Sequence, residues 1–289
     1  MRIRATVAAV TGALALSALL VPAAQAGAQG AASIDKPSAA EAFGASSAKS
    51  AFGASAAAEE LPVVSKVTVN AGKDLVMGTT TVKTFTVSLT ASHSAGIEDA
   101  YIDLWHGPDL ENIDGLLLAN EDAATCTASS ATTSTCKLTM TATPGFEGDL
   151  YMNALAGTWH VTAGVLAGDA SVYWNDFHTT HKVKRAAKVT VNAAPEPVAK
   201  GKTITVTGKL SRANWETGTY KGYSTQKAVL QFRKAGTTTY TNVKGITSST
   251  TGALKTTTTA SVDGYYRFTF AGTATTGTAT AAGDYVDVQ

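Results

Sequence analysis

The chain has 289 residues, a formal charge of +1 and 16% charged residues. A near-neutral chain without a basic block lacks the electrostatic footprint for nucleic acid and offers no hold for an anionic membrane surface. The length has room for about two domains of ordinary size.

The sequence opens on Met1-Arg2-Ile3-Arg4, runs uncharged and apolar from Ala5 to Val21, and reaches Ala24-Gln25-Ala26. A basic start, a short apolar stretch and an A-x-A site mark residues 1–26 as a secretory signal peptide. The competing reading, a retained anchor helix, asks for about 20 apolar residues and no cleavage signal. Cleavage after Ala26 removes Arg2 and Arg4 and takes the formal charge from +1 to −1. No cysteine stands at the cleavage site for a lipid anchor, and no apolar tail or basic run ends the sequence. The expectation is a secreted protein with no membrane span in its mature chain, extracellular or held at the cell surface by non-covalent contacts.

Residues 27–61 are dominated by Ala, Ser and Gly, with a short echo, Ala42-Phe43-Gly44-Ala45-Ser46 and Ala51-Phe52-Gly53-Ala54-Ser55. Such a stretch buries too little apolar area to offset its ordering entropy, so a flexible linker is predicted. The other reading has the two Phe anchoring a partner or a short helix.

Beyond it, Lys66-Val67-Thr68-Val69-Asn70-Ala71 recurs letter for letter as Lys188-Val189-Thr190-Val191-Asn192-Ala193. An alternating run follows each copy: Phe85, Val87 and Leu89 in the first, Ile204, Val206 and Leu210 in the second. Period-two alternation among Thr and β-branched neighbours means half-buried strands, and the matched pattern predicts tandem domains over 62–186 and 187–289. Further inward faces are predicted at Ala100/Ile102/Leu104, Leu138/Met140/Ala142 and Trp159/Val161/Ala163/Val165, then Leu230/Phe232, Tyr266/Phe268/Phe270 and Val286/Val288. Turn residues punctuate these runs at the spacing of an all-β, antiparallel sandwich. The two cysteines, Cys126 and Cys136, are few for a metal site, and export favours a disulfide between them.

The second unit resembles bacterial immunoglobulin-like domains in Gly201-Lys-Thr-Ile-Thr-Val-Thr-Gly-Lys-Leu210, Val229-Leu-Gln-Phe-Arg-Lys234 and Asp263-Gly-Tyr-Tyr-Arg-Phe268. That resemblance implies a tyrosine corner at Tyr266, its hydroxyl bonded to upstream backbone. In the first unit Ala91-Ser-His-Ser-Ala-Gly-Ile97 is similar to a turn of bacterial immunoglobulin-like and cadherin-like modules, with His93 where an Asp is common. From Pro62 to Gln289 the chain resembles a family of secreted actinobacterial proteins of uncharacterised function, some labelled calcium-binding. The resemblance implies a fold more than an activity.

Four candidate sites follow. Asp109, Asp114 and Glu121 lie in an acidic loop that partly fits an EF-hand template, but Leu110 stands where the first ligand belongs and the flanks read as strands. The alternatives are a looser oxygen cage for Ca²⁺ and a solvated acidic turn. Trp215, Tyr220 and Tyr223 share one loop of the second unit, either to stack on a ligand such as a sugar ring or to plug the end of the sandwich. His178-Thr-Thr-His181 invites a zinc reading, but residues three apart on a strand face opposite ways. Asp99 and Asp103 share a strand face with Tyr101 and read as exposed surface, with no burial to raise a pKa for acid catalysis.

No nucleophile motif, zinc-protease motif or phosphate loop occurs, so no enzyme is expected. The leading expectation is a secreted, non-enzymatic binding or interaction module for an extracellular or cell-wall ligand. The alternatives are a calcium-binding form of the same protein and a hydrolase with an unrecognised carboxylate pair.

Overall fold

The computed structural model describes residues 34–44, 60–145 and 149–289; the predicted signal peptide and residues 27–33 and 45–59 of the predicted linker lie outside them. The first nine strands are β1 (Val63–Val69), β2 (Leu75–Met77), β3 (Lys83–Ser92), β4 (Ile97–His106), β5 (Gly115–Leu117), β6 (Thr125–Ala128), β7 (Thr133–Ala142), β8 (Gly157–Ala167) and β9 (Val172–Arg185). They form a four-stranded sheet in the order β1-β3-β7-β6 and a five-stranded sheet in the order β2-β9-β8-β4-β5. Alternation sends one face of each strand inward. Phe85, Val87 and Leu89 of β3 and Leu138 and Met140 of β7 meet Ile102 and Leu104 of β4 and Trp159 and Val161 of β8, all buried in one core. Most pairs are antiparallel; β2 departs from that expectation by running parallel to β9, with Leu75 opposite Val183.

The remaining strands are β10 (Ala187–Val189), β11 (Asn192–Ala194), β12 (Thr203–Asn214), β13 (Thr219–Gly222), β14 (Lys227–Lys234), β15 (Thr241–Thr247), β16 (Ala253–Thr259), β17 (Gly264–Phe270), β18 (Ala279–Thr280) and β19 (Asp284–Val286). One sheet collects β10, β11, β13 and β16 around β12, and the other places β15, β14, β17 and β18 in line with β19 also on β17. Ile204, Val206, Leu230, Phe268 and Val286 fill the second core. The protein is therefore all-β, built of packed sheets.

The repeated hexapeptide plays one role twice. In its first copy Val67 of β1 pairs with Leu89. In the second, Val189 pairs with Leu210 and Ala193 with Val206. The second copy is split into two strands where the backbone of Thr190 presses on Gly208, at which a Cβ would lie 2.1 Å from the Thr190 carbonyl oxygen. Tyr266 does not form the expected corner: its ring is buried against Phe232, centroids 4.8 Å apart, and no hydrogen bond ties its hydroxyl to upstream backbone.

A single residue, Ala186, separates β9 from β10, and its N–H donates to Met77 O at 2.7 Å. Next to it the Arg185 N–H donates to Thr275 O and the Gly277 N–H to Arg185 O. Trp215 closes this junction. Its ring is 1% exposed and belongs to the first core, and its indole N–H donates to Gly78 O at 2.9 Å. Asn153 accepts from the Trp215 N–H and donates its own N–H to Glu216. Residues Ala32–Gln289 consequently form one compact unit.

Cys126 and Cys136 are bonded, facing each other as a direct pair across β6 and β7. Replacing both by Ser is expected to lower stability by about 2–3 kcal/mol, as for other small closed loops. Alkylation of both thiols without prior reduction, read by intact mass, would contradict the bond.

Asp149 is a half-buried acid, one carboxylate oxygen accepting from the Thr143 N–H at 2.5 Å and the other buried without a partner. Burial raises its pKa to about 6, against the pull of the Thr143 hydrogen bonds. A carboxyl raised in the folded state gives stability that is complete below its unfolded value and is lost as pH rises through 6. Asp149→Asn is therefore expected to raise the melting temperature at pH 8 and to leave it unchanged at pH 4, as a pH series of thermal melts will check.

Candidate binding face

The outer face of the β2-β9-β8-β4-β5 sheet is the unusual surface of the molecule. Tyr101, Asp103 and Trp105 of β4 point away from the core, opposite Gly164, Thr162 and His160 of β8. Asp103 and Trp105 nevertheless have no exposure. The expectation of plain exposed surface at Asp103 is thus overturned, because aromatic rings and a further segment of chain cover it.

The rings come first. Trp174 of β9 pairs with Gly164 and stacks on Tyr101, with centroids 4.9 Å apart. Gly164 makes room for this, since a Cβ there would stand 2.6 Å from the indole. Beyond it β9 bulges: Asn175 pairs with Ala163 and Thr179 with Val161, so residues 176–178 stand opposite Thr162 alone. Bulges re-aim side chains, and this one brings Asp176 over Asp103. The Trp174 indole N–H donates to Asp176 Oδ1 at 3.0 Å, and Trp105 donates to the Asp176 carbonyl at 2.9 Å.

The covering segment is residues 34–44, which sequence composition assigned to a flexible linker. Three features order it. Ser38 and Glu41 form a reciprocal capping box that starts the short helix α1 (Ala39–Phe43). Phe43 meets Trp174 edge-on at 6.1 Å, and the Ile34 N–H donates to Ile113 O. Lys36 reaches through the rings, its Nζ 3.0 Å from Asp103 Oδ2 and 2.7 Å from Asp176 Oδ1. The same ammonium lies 5.0 Å from the Trp174 ring and 5.8 Å from that of Tyr101, and the Lys36 side chain is 5% exposed. A cleft of about 350 Å³ runs along the segment between Pro37, Leu110, Trp174 and Asp176.

The electrostatics follow from burial. Burial raises the Asp103 pKa, opposed most strongly by the Lys36 charge. Tyr101 donates to Asp103 Oδ2 at 2.9 Å, and its own pKa is raised by burial and then by the Asp103 charge. Asp103 Oδ1 and Thr162 Oγ1 are buried without hydrogen-bond partners. Together Asp103 and Asp176 hold the Lys36 ammonium. Gly164→Ala is expected to push Trp174 off the sheet and free the segment, because this glycine has an ordinary φ and the added Cβ would stand 2.6 Å from the indole and 3.2 Å from the Tyr101 Cβ. Limited proteolysis should then cut residues 34–44 from the variant faster than from the parent chain.

The other predicted sites come out differently. Asp114 faces His106 Nδ1 at 2.6 Å, Asp109 accepts from Asn112 at 2.7 Å, and Glu121 accepts from the Thr139 N–H and hydroxyl. The three acids thus serve separate partners, and among the described residues no group of three or more His, Cys, Asp or Glu is placed to hold a metal ion. The Thr139 hydrogen bonds also lower the Glu121 pKa. Of the two readings of Trp215, stacking on a ligand or plugging the end of the sandwich, its buried ring fits the plug, seated in the first core rather than the second. Tyr220 packs beside it under Lys188, whose Nζ is 3.9 Å from the ring, and Tyr223 lies buried under Arg212 at 4.1 Å. His178 meets the Tyr173 hydroxyl at 3.0 Å, whereas His181 Nε2 is buried without a partner, so the pair does not converge.

Packed antiparallel sheets define an all-β sandwich protein whose outer face holds the Lys36 ammonium. Residues 75–167, which include β4 and β8, match a family described as "Family of unknown function (DUF5707)". A comparison with curated proteins found no match. Among solved structures, the D0–D1 domain of intimin is 15% identical and covers 78% of this chain and 99% of its own, with a TM-score of 0.25. The mouse nectin-like molecule 4 ectodomain is 15% identical, covering 79% of this chain and 65% of its own at 0.23. Domains of titin are 8% identical, covering 80% and 68% at 0.24. Overlaps this loose carry nothing about activity. Among the described residues no helix is long and apolar enough to cross a membrane.

Proposed function

We propose that the protein is an exported, non-enzymatic binding module that recognises its ligand on the outer face of the β2-β9-β8-β4-β5 sheet. The observation that carries this reading is Asp103. A carboxylate with no exposure, on the face of a sheet that points away from the core, costs several kcal/mol unless a cation meets it. Such a costly group is retained where it serves recognition, and its aromatic walls are the usual surroundings of a bound ammonium. Export is supported by the A-x-A signal and by the Cys126–Cys136 bond, which suits an oxidising compartment.

The test compares retention of three full-length chains on immobilised cell-wall and extracellular material. Lys36→Ala opens the face and should be retained several-fold more than the parent chain. Adding Asp103→Asn to the same chain should cancel the gain. Equal retention of all three sinks the proposal.

A further inference from the structure

The same face has features that select a ligand class, an inference that rests on its being a recognition surface. We infer that the cradle of Asp103 and Asp176 reads the unmodified ammonium of a lysine on a peptide of a partner polypeptide, extended at the lysine and helical after it, and that Lys36 is its resident stand-in.

The selection begins with hydrogen bonds. An ammonium is a compact charge with three donors. Here one donor goes to Asp103 at 3.0 Å and another to Asp176 at 2.7 Å. The third lies 3.5 Å from Pro37 O, and Asp103 Oδ1 and Thr162 Oγ1 are buried on facing positions at the floor. A trimethylated lysine keeps the charge but has no N–H, and would leave Asp103 with the Tyr101 hydroxyl and Asp176 with the Trp174 indole as donors, without the ammonium's two hydrogen bonds. A guanidinium is a wide planar fork suited to a bidentate carboxylate. Asp103 and Asp176 instead converge on one point from different strands, and the stacked rings of Tyr101 and Trp174 wall the approach.

The peptide requirement comes from the backbone. Pro37 after Lys36 holds the lysine extended rather than helical, so the side chain drops into the sheet from a strand-like segment. Two residues earlier the Ile34 N–H docks on Ile113 O, and seven residues later Phe43 reaches Trp174. The ligand is thus a lysine with a main-chain donor before it and an aromatic after it. Because the stand-in is tethered, it competes at an effective concentration on the order of millimolar. A partner peptide enters fully only when the tethered lysine is gone.

The test uses the full-length Lys36→Ala chain and synthetic peptides of residues 34–44 carrying lysine, arginine or trimethyl-lysine at position 36, titrated by calorimetry. The lysine peptide should bind at least tenfold more tightly than the other two, and Asp103→Asn in the receiving chain should abolish binding while circular dichroism stays unchanged. The Lys36→Gln chain, which keeps an N–H donor, replaces Lys36→Ala should the latter unfold. Equal binding of all three peptides overturns lysine selectivity while leaving the face a cation site. No binding of any peptide to a folded chain overturns the recognition face itself. A mixture of Lys36→Ala and parent chains that elutes as a dimer would make the occupant a second copy, and the partner proposal would fall.

Discussion

Trp215→Ala is expected to split thermal unfolding into two transitions. The ring is nearly fully buried in the first core, although its residue belongs to the chain that follows β12. Truncating a buried Trp costs about 3–5 kcal/mol in lost contacts and residual cavity. Here the substitution also strips Gly78 O of its indole donor. What remains at the junction is the backbone bonding around Arg185 and Ala186, the Asn153 hydrogen bonds to residues 215 and 216 and the half-buried Tyr220, too little to keep both pairs of sheets in one cooperative transition. Scanning calorimetry should show the 63–185 sheets melting on the order of 10 °C lower, apart from the second pair. A single transition at the parent temperature would show the ring to be passive filler.

Lys36→Ala is the second large effect, and its size depends on pH. Removing one partner of a buried pair leaves the other charge uncompensated, at a cost of about 3–5 kcal/mol. The Lys36 charge is also what most opposes the upward shift of the Asp103 pKa, so the variant carries a carboxyl raised further. A folded-state pKa above the unfolded value gives stability that is complete at low pH and lost as pH rises through it. The deficit of the variant should therefore be largest at pH 8 and shrink steadily toward pH 4. Adding Asp103→Asn should recover most of the loss at neutral pH. Melting temperatures of the three chains across that range decide it; a deficit independent of pH would mean that packing, not charge, holds the segment.

The strands were legible because alternation is a direct imprint of a half-buried sheet. Phe85, Val87 and Leu89 all pack inward as read, and the disulfide pairs two residues that hairpin geometry sets opposite each other. The binding face was not legible by the same rule, which assigns every outward position to solvent. A signal was present: β8 runs almost continuously apolar from Val161 to Ala167 and is buried along that length, the mark of a strand covered on both faces. The covering segment was hidden by averaging. Its Ser38-x-x-Glu41 box and its Lys36-Pro37 pair are specific signals diluted in a run of Ala and Gly. Trp215 was missed because a loop residue says nothing of which neighbour it will lean on.

The position of the disulfide has a consequence for solubility. In the order β1-β3-β7-β6, the four-residue β6 is the outermost strand beside the ten-residue β7. A strand that short is easily peeled away, and peeling would bare the N–H and C=O groups of β7 as a template for another chain. The covalent link at Cys126 and Cys136 forbids that opening and also forbids slippage, since a shift of one residue would exchange the two faces of β6. Cross-linking at this point therefore guards the protein against edge-to-edge aggregation, and a reduced sample held at high concentration should form β-rich assemblies that the oxidised protein does not.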